Sequence, residues 1–382
     1  MDFPPRPACA SFSSGPCAKP PGWSVTCLQE ALVGRSHRSL EAIEKLQTLT
    51  TKVRRLLAVP DGYRIGIFPG SATGAVEIAF WNFLGACGVD VFVWDVFSRI
   101  WADDIQNQLC LDTRVFSAPF GTCPDLKEAN PQRDIVFCWT GTTTCVSVPH
   151  TDWLPLERTG LTFCDATSAA FLVDLPWKKL DVTAFSCQKV LGGEACFSFL
   201  IFSPHAIDRL AQYTPVWPIP RLMQLKKNEK ILEKIFQGQV INTISLLVVE
   251  DFSKALSWVE DIGGIQTLQH LAQKNQACIK NWISQQTDFA YLVKDPAVRP
   301  LTPVGFVPTH AAFSNKSTAA QWKDLATLTE ILRKERIAFD VLGHIKSVPH
   351  LRFWTGPTIE TTDLACALDG LSWAYTRWSA AL

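Results

Sequence analysis

The chain has 382 residues, 47% hydrophobic and 19% charged, which are globular values. They exclude a disordered chain, which needs low hydrophobicity and high net charge. Lys+Arg and Asp+Glu both number 36, so the net charge is zero and a whole-chain basic footprint for nucleic acid is absent. In chain order, Met1–Ala10 holds prolines and no apolar stretch, so no secretory signal is expected. Arg64–Pro69 reads as a buried strand, and Ser71–Gly85 as a helix with Ser71 at its N-cap. Val89–Trp94 reads as a strand and Phe97–Leu109 as a helix. Further strands are expected at Arg114–Ala118, Asp134–Trp139, Gly160–Asp165, Leu180–Ser186 and Cys196–Ser203. Continuous apolar strands separated by helices predict one large, mostly parallel sheet covered on both faces.

Beyond it the character changes. Pro215–Pro220 reads as irregular, Lys226–Lys234 as a solvated helix, and Asn242–Trp282 as mostly helix with an interruption at Gly263-Gly264. Strands near Val304–Pro308, Phe339–Leu342 and His350–Trp354, with helices at Thr318–Glu335 and Thr361–Arg377, form an α+β set. Two units are therefore expected: a large α/β domain over 1–255 and a smaller α+β domain over 256–382. The longest apolar runs, Cys196–Phe202 and Ile244–Val249, fall far short of the roughly 18 residues of a membrane span, so no membrane partner is expected. Thirteen cysteines include no Cys-x-x-Cys pair, which leaves no zinc or dithiol motif. Several sit in apolar runs and read as core thiols of a reducing, cytoplasmic protein.

Three motifs carry chemistry. Lys189 follows an apolar strand and precedes Gly192-Gly193; desolvation there lowers the amine's pKa and frees it for Schiff-base formation. Asp165 ends another apolar strand, where ligands of open α/β sheets bind and a carboxylate can keep a pyridine nitrogen protonated. Pro69–Glu77 is a small-residue turn entering a helix, an anion site by its free N–H groups. Each has a plainer reading: a surface lysine, a capping aspartate, an ordinary turn. Their order, turn then Asp then Lys 24 residues later, is that of a fold-type I pyridoxal-phosphate enzyme.

Four segments sharpen this: Phe12–Lys19, Gly34–Ser39, Gln188–Glu194 and Gly238–Thr243. They resemble the phosphoserine aminotransferases, in the branch found in alphaproteobacteria and some archaea, and the resemblance runs from about Pro7 to Trp378. It implies a fold-type I architecture and a homodimer with shared active sites. It implies transfer of an amino group from L-glutamate to 3-phosphohydroxypyruvate, in serine biosynthesis and a step towards pyridoxine. By resemblance Lys189 holds pyridoxal 5′-phosphate, Asp165 pairs with its ring nitrogen and Trp101 stacks on its ring. Ala72 and Thr73 bind its phosphate, Thr142 and Gln188 hydrogen-bond it, and Asn242 and Thr243 reach the other subunit's cofactor phosphate. His37, Arg38 and Arg352 take the substrate's carboxylate and phosphate. Outside that frame, Trp101 reads as core, Asn242 and Thr243 as a helix cap, and the arginines as surface ion pairs.

The chain departs from the family pattern. Thr140 and Ser147 replace an Asn and an Arg, Cys187 replaces a Trp, Phe197 a His, Ala72 an Asp, and Ile345-Lys346 a Tyr-Arg pair. Fewer planar guanidinium forks remain for a doubly anionic substrate. Two alternatives follow: a related aminotransferase for another amino acid or oxo acid, whose altered positions cluster round the substrate, or a catalytically silent dimeric relative.

Overall fold

A computed structural model describes residues 3–380; residues 1–2 of the proline-containing start lie outside them. Helix α1 (Leu40–Leu56) leads into β1 (Arg64–Pro69), α2 (Ala72–Phe83), β2 (Val89–Val93), α3 (Val96–Asp103) and β3 (Thr113–Ser117). Then come β4 (Asp134–Cys138), the short hairpin β5 (Thr140–Gly141) and β6 (Val146–Ser147), β7 (Thr162–Asp165), β8 (Val182–Ser186), β9 (Phe197–Phe202) and α4 (Pro204–Gln212). Seven of these strands form one sheet in the order β1-β9-β8-β7-β4-β2-β3. Its strands β3, β2, β4, β7 and β8 run parallel. Only β9 runs against its neighbours, β8 and β1.

The sheet forms because its strands are apolar on both faces. Every residue of β2, β4, β8 and β9 is buried, as a sheet covered by helices on two sides requires. Phe185 and Phe199 stack at 4.8 Å across β8 and β9, and Phe252 covers Phe199 at 5.7 Å. Antiparallel strands need only a short connection, so β8 returns directly into β9. Lys189 sits in that connection.

The expected helix over Lys226–Lys234 is absent. Strands β10 (Lys226–Lys227) and β11 (Lys230–Ile231) pair there as a hairpin. Asn228 and Glu229 both have positive φ, 48° and 63°, the geometry of a two-residue hairpin turn, and this local chemistry overrides the helical spacing of the charges. Helix α5 (Leu246–Asp261) is followed by α6 (Ile265–Ser284), with the expected break at Gly263-Gly264, where φ is +100° and +86°.

The C-terminal sheet holds β12 (Phe289–Tyr291), β13 (Val304–Pro308) and β14 (Leu351–Phe353), all antiparallel. Between β13 and β14 lie the short helix α7 (Ala311–Ser314) and α8 (Thr318–Lys334), and α9 (Thr361–Ser379) follows. Helix α9 packs on both α6 and α8. Strand β12 was not expected, and Phe339–Leu342 forms only isolated bridges, Phe339 to Ser11 and Leu342 to Leu351. The N-terminal segment takes the place of a full strand there: Phe339 N–H donates to Ala10 O at 2.8 Å, and Trp354 N–H to Phe12 O at 2.9 Å. The same segment then crosses to the large sheet, where Cys17 N–H donates to Gln188 O at 2.9 Å. No helix among the described residues is long and apolar enough to cross a membrane.

Candidate active site

Strand β8 delivers Lys189 to the C-terminal edge of the sheet. Its ammonium donates to the Ser14 carbonyl, and Gly15 packs so closely that a Cβ there would lie 2.8 Å from Lys189 Nζ. The indole of Trp354 lies 6.0 Å from the same atom. Burial lowers the Lys189 amine to about 8; Cys17 and Asp165 act against that shift and Arg352 with it. An amine with its pKa lowered toward neutral gives up its proton more readily, and so can act as nucleophile and proton carrier.

Strand β7, adjacent to β8, delivers Asp165. Burial raises its carboxyl to about 6, although Thr167 donates both its N–H (2.8 Å) and its hydroxyl to it. These bonds belong to a turn rather than a helix cap, because no helix follows. Trp101, 1% exposed on α3, borders the same small internal void as Asp165 and meets Phe80 edge-on at 6.5 Å.

Thr142 lies in the loop of the β5–β6 hairpin. Its hydroxyl meets Ser168 Oγ at 2.7 Å, and its carbonyl accepts from Arg352 Nη1 at 3.1 Å. Arg352 stands on β14, so the small sheet reaches across to this hairpin. Its Nε–H is buried and unpartnered, leaving a guanidinium edge for an incoming anion. Helix α2 begins at Ala72 and Thr73 with Ser71 at its N-cap, as expected, yet the Ser71 side chain makes no capping bond. The first-turn N–H groups stay available to an anion.

Other polar atoms here are buried without partners: Gln188 Oε1, Trp101 Nε1 and Ser14 Oγ. Such orphans are costly unless a ligand completes them. A phosphate at the α2 terminus, a ring nitrogen at Asp165, an aldehyde carbon at Lys189 and a polar ring substituent at Gln188 suit this set. The residues present therefore fit pyridoxal phosphate.

Four expected residues stay outside this cluster. Asn242 and Thr243 are exposed, and α5 is capped by Ser245, so the helix-cap reading of the pair fails. Arg38 is exposed, whereas His37 is buried with Nε2 unpartnered; burial and then the Arg38 charge lower its pKa.

The substituted positions divide. Thr140 and Ser147 face each other across the hairpin at 3.2 Å, and Ser147 also donates to Trp139 O at 3.1 Å, so the two satisfy one another. Cys187 Sγ lies 3.6 Å from Phe197 O, and Phe197 packs edge-on against Phe252 at 6.2 Å, both inside the core. Lys346 is exposed, with its N–H donated to His344 Nδ1 at 3.2 Å. Sequence reasoning missed Ser14, Gly15 and Ser168 as neighbours of the lysine and hairpin. The run Phe12-Ser-Ser-Gly-Pro was the available signal, small residues where a backbone must approach closely. It also missed Asp95, buried at the end of β2.

No protein-family model matches the chain. It is 45% identical over 365 residues to the phosphoserine aminotransferase of Methanosarcina barkeri, spanning 95% of this chain and 96% of that one. The corresponding protein of Methanosarcina mazei is 44% identical over the same length. Among solved structures, a phosphoserine aminotransferase from Cytophaga hutchinsonii superposes with a TM-score of 0.77 at 20% identity, over 94% of this chain and 97% of that one. The pyridoxamine-pyruvate aminotransferase of Mesorhizobium loti gives 0.79 at 13% identity, over 98% and 93%, so the fold alone is shared with enzymes of other substrates. Near-half identity across almost all of both chains decides between them, and the chain belongs to the phosphoserine aminotransferase family.

Proposed function

We propose that this protein is a pyridoxal-phosphate-dependent phosphoserine aminotransferase. It moves an amino group from L-glutamate to 3-phosphohydroxypyruvate, giving O-phospho-L-serine and 2-oxoglutarate. The observation that carries this is a buried Lys189 with its pKa lowered to about 8, after the strand next to the one ending in the raised Asp165, together with the buried, unpartnered Nε–H of Arg352. Lys189 and Asp165 are the catalytic pair. The first turn of α2, at Ala72 and Thr73, would take the cofactor phosphate; Trp101 would pack against the ring; Thr142 and Gln188 would hold its polar substituents. When bound, the cofactor supplies the electron sink, with its ring nitrogen kept protonated by Asp165. Lys189 Nζ accepts the proton from the substrate α-carbon and returns it further along, which its lowered pKa favours near neutral pH. Arg352 holds the α-carboxylate common to both amino acids and orients that carbon over Lys189.

His37, Arg38, Asn242 and Thr243 serve the partner subunit's site in a homodimer. Supporting this, exposed apolar side chains flank them in sequence: Val33 and Leu40 are 71% and 77% exposed, and Leu247 is 44% exposed. The division into units 1–255 and 256–382 is likewise our reading; α5 runs through that boundary. A changed substrate has less support, because Cys187 and Phe197 pack in the core and Thr140 and Ser147 satisfy each other. The test is an absorption spectrum of the purified protein, with phosphoserine and glutamate added separately. Bleaching of the visible cofactor band by both is the expected result. Bleaching by glutamate alone would refute the phosphoserine assignment, and no band after cofactor is supplied would refute the enzyme.

A further inference from the structure

Asp95 has no part in the reaction as described above. It follows β2, caps α3 and is 1% exposed. Its carboxylate accepts from Ser98 N–H at 2.8 Å, Ser98 Oγ at 2.9 Å, Thr143 Oγ1 at 3.4 Å and Cys138 Sγ at 3.6 Å. None of these donors is a cation. Each belongs to a different part of the site. Ser98 opens α3, the helix that carries Trp101. Thr143 follows Thr142, the acceptor of Arg352, and its hydroxyl also receives Val96 N–H at 2.9 Å. Cys138 stands opposite Asp165 in the β4–β7 register. The hairpin lies so close that a Cβ on Gly141 would sit 2.7 Å from Asp95 Cβ.

We propose that Asp95 is a positioning residue for transamination: it joins α3 to the β5–β6 hairpin, and its buried negative charge balances the cations of Lys189 and Arg352. The charged groups that sense it are Lys189, Arg352, His344 and Asp165. Its field raises the affinity of Lys189, Arg352 and His344 for their protons, and acts on Asp165 in the same direction. Burial pushes the Asp95 carboxyl itself up, while Ser98, Cys138 and Thr143 hold it down. A helix cap alone has no use for this charge, since asparagine and serine cap as well as aspartate.

That difference makes the inference testable, and it rests on the cofactor reading above. Asp95→Asn keeps the cap and removes the charge. In the cofactor-loaded variant, the pH midpoint of the visible band should shift to lower pH than in wild type, since a lost nearby anion disfavours the protonated form. KM for glutamate should fall, because a lost anion strengthens the positive field that Arg352 presents to the carboxylate, with a smaller change in kcat. A melting curve reports folding, and Asp95→Ser, a second uncharged cap, serves if the first variant does not fold. A band midpoint and KM equal to wild type in a folded variant would overturn the proposal. The wild-type spectrum is read first, so absence of its band refutes the enzyme reading, and an unshifted variant beside a normal wild type refutes only the role of Asp95.

Discussion

Burial drives the two catalytic groups toward each other's protonation range. Lys189 falls to about 8 and Asp165 rises to about 6 because low dielectric disfavours both charges. For Asp165 this has a stability consequence of definite sign. An unfolded aspartate titrates near 3.8, so between that value and about 6 the folded protein binds more protons than the unfolded one. Stability contributed by this group therefore falls as pH rises through that window, and above it the full penalty, about 1–3 kcal/mol, is present. Asp165→Asn removes the charge and can still accept from Thr167. The cofactor-free variant should melt higher than wild type at pH 7, and the advantage should vanish near pH 4. Transamination should fall about 100-fold or more, because a neutral amide cannot keep the ring nitrogen protonated. Equal melting temperatures at pH 7 would show that Asp165 is not strained by burial.

At the scale of elements, the helix N-terminus and the turns decide what can bind. Position 72 is the first residue of α2, and Ser71 before it is extended (φ −80°, ψ −170°), a backbone that a following proline accepts. Ala72→Pro therefore deletes one N–H from the anion site at little cost to the helix. The dissociation constant for the cofactor should rise about 10–100-fold, the worth of one charge-assisted hydrogen bond, with the thermal melt of the cofactor-free protein nearly unchanged. Equilibrium dialysis measures the first and circular dichroism the second; unchanged affinity would move the phosphate elsewhere. The order of elements around this site was legible because apolar strands and small-residue turns are local signals. The turn before α2, Asp165 and Lys189 all fell at strand ends as expected. The Lys226–Ile231 hairpin was not legible, since two positive-φ residues, Asn228 and Glu229, outweigh charge spacing and neither is glycine. Asp95 escaped notice for another reason. Its importance lies in the meeting of Ser98, Thr143 and Cys138, residues up to 45 apart in sequence, and no local pattern records that meeting.

Over the whole molecule, residues that act within one chain can be told from those that act across two. In the described fold Trp101 and Asp165 border one small void and Arg352 bonds the Thr142 carbonyl, whereas Asn242 and Thr243 are exposed. Isolated exposed polar residues contribute little to a site, whereas in the homodimer proposed above a two-fold axis would set each such patch against the partner's site. Complementation separates the two arrangements. A Lys189→Ala chain lacks the amine but keeps Asn242 and Thr243; an Asn242→Ala, Thr243→Ala chain has the reverse. Each homodimer should be inactive or weak. If the pair acts in trans, a mixed dimer holds one intact site, formed by the lysine of one chain and the Asn-Thr pair of the other. Random pairing of equal amounts makes half the dimers mixed, each with one working site of two, so about a quarter of wild-type activity should return on co-refolding. If the pair acts within its own chain, every site in every dimer carries a lesion, and activity should not rise above the sum of the separate variants. The second outcome would place the Asn242-Thr243 pair at its own chain's site and overturn the shared-site reading.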